Sequence, residues 1–370
     1  MDVELCHYGP RPTRQPSPAS KLSNPTPPSL GQSVQWKPLG LSDTAERTLE
    51  LRLFYEYTRS TCNKQSLRAM APVLCNPIWD FDIPRIAFSS DVVLNALLGL
   101  SALHLRSKTP DDPVLMRASL SYLDKAVTKH QAALARVDEH TAEPLLVAAV
   151  LIAHHTWLTA HSKDPGERYN IDLRTYHMCK GIKALVQKLK PWLEKYDWPS
   201  PISNICPIEC MTNKAFMLNA NHDLDQLSET FNGDGISLEQ QVSYEVARKE
   251  LVAVYKLIAS DADPSTIEQA IVTYLHRLPS EFICLLENED PIAMALLARN
   301  LSMLSIAEDS PAWWIHGAGV YRVPIKAILG IQGLMPTDWL WTMDWPLQII
   351  RKEIDLFASG THKSPSELGK

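Results

Sequence analysis

Residues 79–105 read WDFDIPRIAFSSDVVLNALLGLSALHL, and this stretch decides the fold. Ser89, Ser90 and Asp91 are N-cap types, placed just ahead of an apolar series. That series is Val92, Val93, Leu94, Leu97, Leu98, Leu100, Leu103 and Leu105. On a helix of 3.6 residues per turn these positions leave almost no polar face. Such a helix cannot lie on a surface, so it is expected at the centre of an all-helical core.

The pattern stays helical on both sides. Over residues 43–70, Ser42 or Asp43 can cap, and Leu49, Leu53, Tyr57 and Cys62 recur about every four positions. Residues 113–137 form the clearest amphipathic helix. Met116, Leu120, Leu123, Val127, His130, Leu134 and Val137 share its stripe, while Lys125, Lys129, Arg136 and Asp138 fall off it. Glu143 and Pro144 open LLVAAVLIAHHTW (145–157), a second helix apolar all round. Further helices are expected over 171–195, 238–260, 264–278 and 291–307, the last two with Pro264 and Pro291 in their first turns. Residues 199–237 have the least regular pattern and read as an insertion or lid, with NGDG (232–235) as a loop. The fold expected is all-α: an irregular multi-helix bundle of about ten helices, one domain over 43–357, with a frayed tail at 358–370.

Residues 1–42 differ in kind. They hold eight of the 27 prolines, with Ser and Thr between them, which is the composition of a disordered linker. A net charge of −6 and a pI near 6.1 argue against general affinity for a phosphate backbone. Seven scattered cysteines, an odd number, fit a reducing compartment better than a disulfide framework. The N-terminus lacks the charged-then-apolar pattern of a secretory signal. The longest apolar runs, such as Leu145–Ala153, fall short of the roughly 20 residues that span a bilayer. The location expected is the nucleus and/or the cytoplasm.

Catalytic fingerprints are missing. There is no GxxxxGK[ST], no GxGxxG, no GxSxG and no HExxH. His154 and His155 are adjacent and so point about 100° apart on a helix, which unsuits them as joint metal ligands. Cys206 and Cys210, with His222 downstream, lack the second ligand pair of a structural zinc site. No metal and no cofactor are expected. His130 reads as a core histidine bonded to a carbonyl. Lys180, Lys183, Lys188 and Lys190 read as a solvated helix face. Five tryptophans, at 313, 314, 339, 341 and 345, fall close together near the C-terminus. A side chain that large with one N–H to satisfy fits a wall or interface as well as a packed interior.

Taken in order, these landmarks resemble the fungal-specific regulatory domain that follows the binuclear zinc cluster in many fungal transcription factors, sterol-sensing regulators among them. LELRLFYEYTRSTC (49–62) is similar to the family's first helix. Tyr122, Ala126, His130 and Leu134 match its tyrosine-to-histidine helix. The segment Tyr176–Leu189 and the helix PIAMALLARNLSMLSI (291–306) match later parts. Trp313, Trp314, Gly317, Trp339, Trp341, Trp345 and Pro346 match its C-terminal signature. The resemblance spans about 46–352. At the N-terminus, Cys6 and Tyr8 of MDVELCHYGPRP resemble the exit of a zinc cluster, without the five preceding cysteines. One thiolate cannot replace six, so no direct DNA binding is expected from this chain alone.

The resemblance implies a transcription-regulatory domain. It would bind a small apolar metabolite, sterol- or terpenoid-like, or a partner protein or second copy. His130, His154, Tyr176, Trp313, Trp314, Gly317, Trp339 and Trp341 are its candidate ligand-binding residues. A second reading redirects the domain to secondary metabolism as a cofactor-free cyclase or pericyclase, holding a polyene or terpenoid in a productive pose in an apolar pocket. A third is a scaffold that pairs with a full-length regulator.

Overall fold

The computed structural model describes residues 42–62, 78–160, 169–171, 173–193, 211–307, 315 and 322–356. Among them are thirteen α-helices and no strand. The fold is all-α, with more and shorter helices than the ten or so expected.

Helix α1 spans Asp43–Glu56, with the Ser42 hydroxyl accepting from the Ala45 amide. It runs into a π-helical turn at Tyr57–Thr61 rather than continuing to 70; residues 63–77 lie outside the described part. A second π-helical turn, Ile78–Asp82, leads into the short α2, Ile83–Ala87. Helix α3 is Asp91–Lys108, and α4 is Pro113–Leu134. The Asp112 carboxylate starts α4 by accepting from the amides of Val114 and Leu115 at 2.8 and 3.2 Å. Helix α5, Glu139–Ala160, begins a turn before the expected Glu143. Asp138 explains this, because its carboxylate accepts from the amides of His140 and Thr141 and so nucleates the helix upstream of Pro144.

Helix α6 is Arg174–Leu189, tightened at its end into a 3₁₀ turn over Lys190–Trp192. Helix α7, Lys214–Ser228, falls in the stretch expected to be irregular. Phe216, Met217, Ala220, Leu224 and Leu227 give it a buried face, so much of that supposed lid belongs to the core. Helix α8 is Leu238–Ala259, opened by a Ser237–Gln240 capping box. Helix α9, Pro264–Val272, stops early and passes into a 3₁₀ turn at Tyr274–Arg277. Helices α10, Ser280–Glu287, and α11, Pro291–Ser302, follow. A 3₁₀ turn at Met303–Ala307 ends α11 five residues before the expected 307. Last come α12, Val323–Leu334, a 3₁₀ stretch at Thr337–Met343, and α13, Asp344–Ile350.

Two helices without a polar face act as hubs. Helix α3 is buried from Ala96 to His104 and packs against α1, α2, α4 and α5. Its longest contact is with α4, and Gly99 permits it. A β-carbon there would stand 3.3 Å from the Leu123 amide nitrogen and 3.4 Å from the Ser119 carbonyl oxygen. Helix α11 is buried from Ile292 to Asn300 and packs against α8, α10, α12 and α13. Helix α6 joins the two groups. It packs along α5 on one side and meets the Tyr274–Arg277 turn on the other.

Several polar groups inside the hubs are paired, most of them across helices. Ser119 of α4 lies 2.6 Å from Nε2 of His155 on α5, and Thr159 lies 3.2 Å from its Nδ1. Thr61 lies 2.9 Å from Nδ1 of His104 on α3. Arg299 of α11 is 1% exposed and pairs with Asp223 of α7. No helix among the described residues is long and apolar enough to cross a membrane.

Candidate functional site

A cavity lies at the seam between the two hub groups. Its walls come from α5 (Ala153, His154, Trp157), α6 (Thr175, Tyr176, Cys179), the Leu275–His276 turn and α11 (Leu297, Leu301), with Tyr169, Ile171 and Val272 closing it. The cavity measures about 80 Å³. Drug-sized ligands usually occupy pockets of roughly 300 Å³ or more. A four-ring sterol therefore needs more room than these residues leave.

His154 and Tyr176, two of the sequence candidates, share this cavity. His154 is buried, and its Nδ1–H donates to the Val150 carbonyl at 2.7 Å, one helical turn back. That bond fixes the imidazole, whose ring stands edge-on to buried Trp79 at 5.4 Å. Tyr176 is buried as well. Its ring is parallel to that of His276 at 6.1 Å, and the Lys180 ammonium sits 4.7 Å from its centroid. Cys179 lies one turn beyond Thr175, and burial pushes its thiol up to about 12, which keeps it protonated and unreactive at neutral pH.

Thr175 stands in the first turn of α6, where the position four residues back, Ile171, precedes the helix. Thr156, Thr159 and Thr273 each donate their hydroxyl to the carbonyl four residues back, at 2.9, 2.8 and 2.7 Å. Thr175 Oγ1 is shielded from solvent and makes no such bond. Tyr169 is held in an equally specific way. Its ring lies directly on Gly330 in α12, where any β-carbon would fall within the ring. A glycine inside a helix costs up to about 1 kcal/mol against alanine, and at this position the seated ring accounts for it.

The other sequence candidates lie elsewhere. His130 is half-buried on α4, and its shielded Nδ1 meets no partner, so the expected carbonyl bond is absent there and belongs to His154 instead. Burial lowers the pKa of His130. Trp339 packs on the core from the 3₁₀ stretch, and Trp341 in the same stretch is partly exposed; neither lines the cavity. Trp313, Trp314 and Gly317 lie outside the described residues, as do Cys6, Tyr8, Cys206 and Cys210. Among the described residues no group of three or more His, Cys, Asp and Glu side chains could hold a metal ion.

Sequence reading missed Trp157, Tyr169, Thr175, Cys179 and His276. Thr175 and Cys179 at i and i+4 were visible as one stripe of α6. Tyr169, Leu275 and Leu297 come from separate elements, and no spacing connects them.

Comparison with known proteins finds similarity to fungal transcription factors. Residues 52–165 match the family model of the fungal specific transcription factor domain. The match runs from the end of α1 through α5 and so takes in most of the α3 hub. A Zn(2)-C6 fungal-type transcription factor of Gibberella zeae is 27% identical over 331 residues, which is 83% of this chain and 63% of the relative. The Zn(2)-C6 fungal-type transcription factor afumD of Aspergillus fumigatus is 27% identical over 138 residues, covering 37% of this chain and 36% of the relative. The chain thus spans less than two thirds of the length of either relative.

Proposed function

We propose that the chain works as the regulatory part of a nuclear transcription regulator, and that a small apolar metabolite entering the seam cavity changes how the two hub groups pack. The observation that carries this reading is the position of the cavity. Its walls are shared by α5 and α6 on one side and α11 with the Tyr274–Arg277 turn on the other. A ligand with different affinity for two packings of that seam shifts their populations by that difference and no more. Occupancy then passes to the surface of both groups, where a partner protein or a second copy reads it.

The test is native mass spectrometry of protein purified from a fungal host, followed by extraction of any bound compound. Substitution of Leu297 by Trp, to fill the cavity, accompanies it in a reporter assay. A stoichiometric small apolar compound, lost together with ligand-dependent reporter output in Leu297→Trp, supports the reading. Reporter output that is unchanged by cavity filling removes it. Turnover of an added polyene by the purified chain would favour the cyclase reading instead.

A further inference from the structure

Helix α1 turns Leu49 and Leu53 into the core, followed by Tyr57 from the next turn. Leu51 and Tyr55, one helical turn apart, stand on the opposite side and are 74% and 60% exposed. The Phe88 ring, 79% exposed, lies 4.9 Å from that of Phe54 on α1 and widens the apolar strip. Exposed apolar side chains scattered singly are ordinary, whereas a contiguous group of large ones marks an interaction site. Thr48 and Thr58 keep the strip apolar, because their hydroxyls donate to the carbonyls of Thr44 and Tyr55 at 2.8 and 2.9 Å.

Charge is segregated on the same helix. Its three glutamates are committed within the fold. Glu46 pairs with Lys125 at 3.6 Å, Glu50 accepts from the Tyr122 hydroxyl at 3.4 Å, and Glu56 pairs with Lys108 at 2.7 Å. The arginines do the reverse. Arg47, one turn before Leu51, and Arg52, next to it, are both exposed. Arg59 continues the line from the π-helical turn, with its guanidinium 6.0 Å from the centre of the Tyr55 ring. None of the three pairs with a carboxylate among the described residues. Tyrosine and arginine are the side chains enriched where protein interfaces are strongest. The guanidinium over the ring also holds both in a ready orientation.

We propose that the outward face of α1, from Arg47 to Arg59 with Phe88 beside it, docks an acidic amphipathic helix of a partner protein. Twelve residues at 1.5 Å each give a strip about 18 Å long, a little over three helical turns. The partner helix lays apolar side chains, spaced three and four residues apart, on Leu51, Tyr55 and Phe88. Its Asp and Glu side chains accept from the guanidinium groups along the margins. A nucleic acid fits this face less well, since its phosphates would also pass the glutamates on the flanks of α1, and the chain's net charge of −6 opposes its approach. The face shares no residue with the seam cavity and does not depend on that cavity taking a ligand.

The experiment selects phage-displayed helical peptides of about 15 residues on the whole chain and measures the enriched sequences by fluorescence anisotropy. It compares the natural protein with Leu51→Ala plus Tyr55→Ala, with Arg47→Glu plus Arg59→Glu, and with Leu218→Ala, an equally exposed leucine on α7. Circular dichroism checks that each keeps its helical content. Enriched peptides should carry Asp and Glu beside an apolar stripe. The double alanine variant should weaken them by about tenfold or more, and the charge reversal by as much, while Leu218→Ala leaves them unchanged. Exchanging the acids of a peptide for lysine should restore its binding to the charge-reversed protein. Leu297→Trp should bind the peptides as the natural protein does, which separates this face from the seam cavity.

Enriched peptides that are basic or uncharged, or that bind every variant alike, overturn the proposal, and so does a selection that enriches none. If phosphatidylserine vesicles or duplex DNA bind instead, and the same variants lose them, the face belongs to lipid or to nucleic acid and the proposal falls.

Discussion

Arg299 and Asp223 meet in the interior through two parallel bonds, Nε to Oδ2 at 2.7 Å and Nη2 to Oδ1 at 2.8 Å. The remaining guanidinium nitrogen donates to the carbonyls of Ala295 at 3.1 Å and Thr342 at 2.9 Å. One side chain thereby ties α7, α11 and the Thr337–Met343 stretch. A buried charge is costly alone and tolerable when fully bonded. Asp223→Ala should therefore cost about 3–5 kcal/mol, since it strands the guanidinium. The double variant Asp223→Leu with Arg299→Met should recover most of that loss. Urea unfolding of the three proteins checks this; a double variant no better than Asp223→Ala would contradict it.

The stability of the fold should fall as the pH is lowered through the range of histidine titration. His104 and His155 are both buried, and burial holds each down to about 4 from the ordinary 6.5 or so. Lys108 pushes His104 further the same way, while Glu56 opposes it. Between pH 6.5 and 4 the unfolded chain binds protons at these rings and the native chain does not. Stability therefore rises with pH across that window and is lost on acidification, by about 1.4 kcal/mol per pH unit for each ring. His155→Gln should flatten the slope of unfolding free energy against pH by about that amount, whatever it does to stability at neutral pH.

Two glycines should respond to alanine with opposite signs. Gly181 is exposed in α6, with open space where a β-carbon would stand. Gly181→Ala should stabilise by up to about 1 kcal/mol through helix propensity. Gly99→Ala should destabilise by about 1–3 kcal/mol, because the new carbon presses on the backbone of α4. Thermal unfolding of the pair checks both signs.

The cap of α4 should be worth about 1 kcal/mol. Asp112→Ala removes the acceptor for two amide donors and should cost about that much. Asp112→Asn should keep most of it. A denaturant midpoint that moves equally in both variants would assign the effect to charge rather than to capping.

Much of the helical frame was legible because its signals are local. The apolar ring of α3, the stripe of α4 and the prolines ahead of α9 and α11 each lie within one element. The family resemblance rested on the order of those elements. Helix α7 was missed because its apolar positions, Phe216, Met217, Ala220, Leu224 and Leu227, follow an approach broken by Pro199, Pro201 and Pro207. The early stops at Val272 and Ser302 depend on 3₁₀ turns, which carry no separate sequence period. His154 and Tyr176 were read as candidates one at a time. Their company in one cavity was not readable, because Tyr169, Leu275 and Leu297 reach it from distant parts of the chain. The burial of Arg299 carried no local signal, because the Asp223 carboxylate that pairs with it lies 76 residues away in sequence.

The same arginine has a consequence for synthesis. A chain emerging from the ribosome makes Asp223 first, Arg299 76 residues later, and the Thr342 carbonyl a further 43 residues on. The α3 hub with α1, α4 and α5 is already complete by residue 160 and is free to fold during translation. The α11 hub has to wait. Until residues up to about 350 have cleared the exit tunnel, its guanidinium lacks the Thr342 carbonyl and α11 lacks the cover of α12 and α13. The second half of this fold therefore closes later than the first, and a nascent chain stalled near residue 330 would present an open apolar face to chaperones.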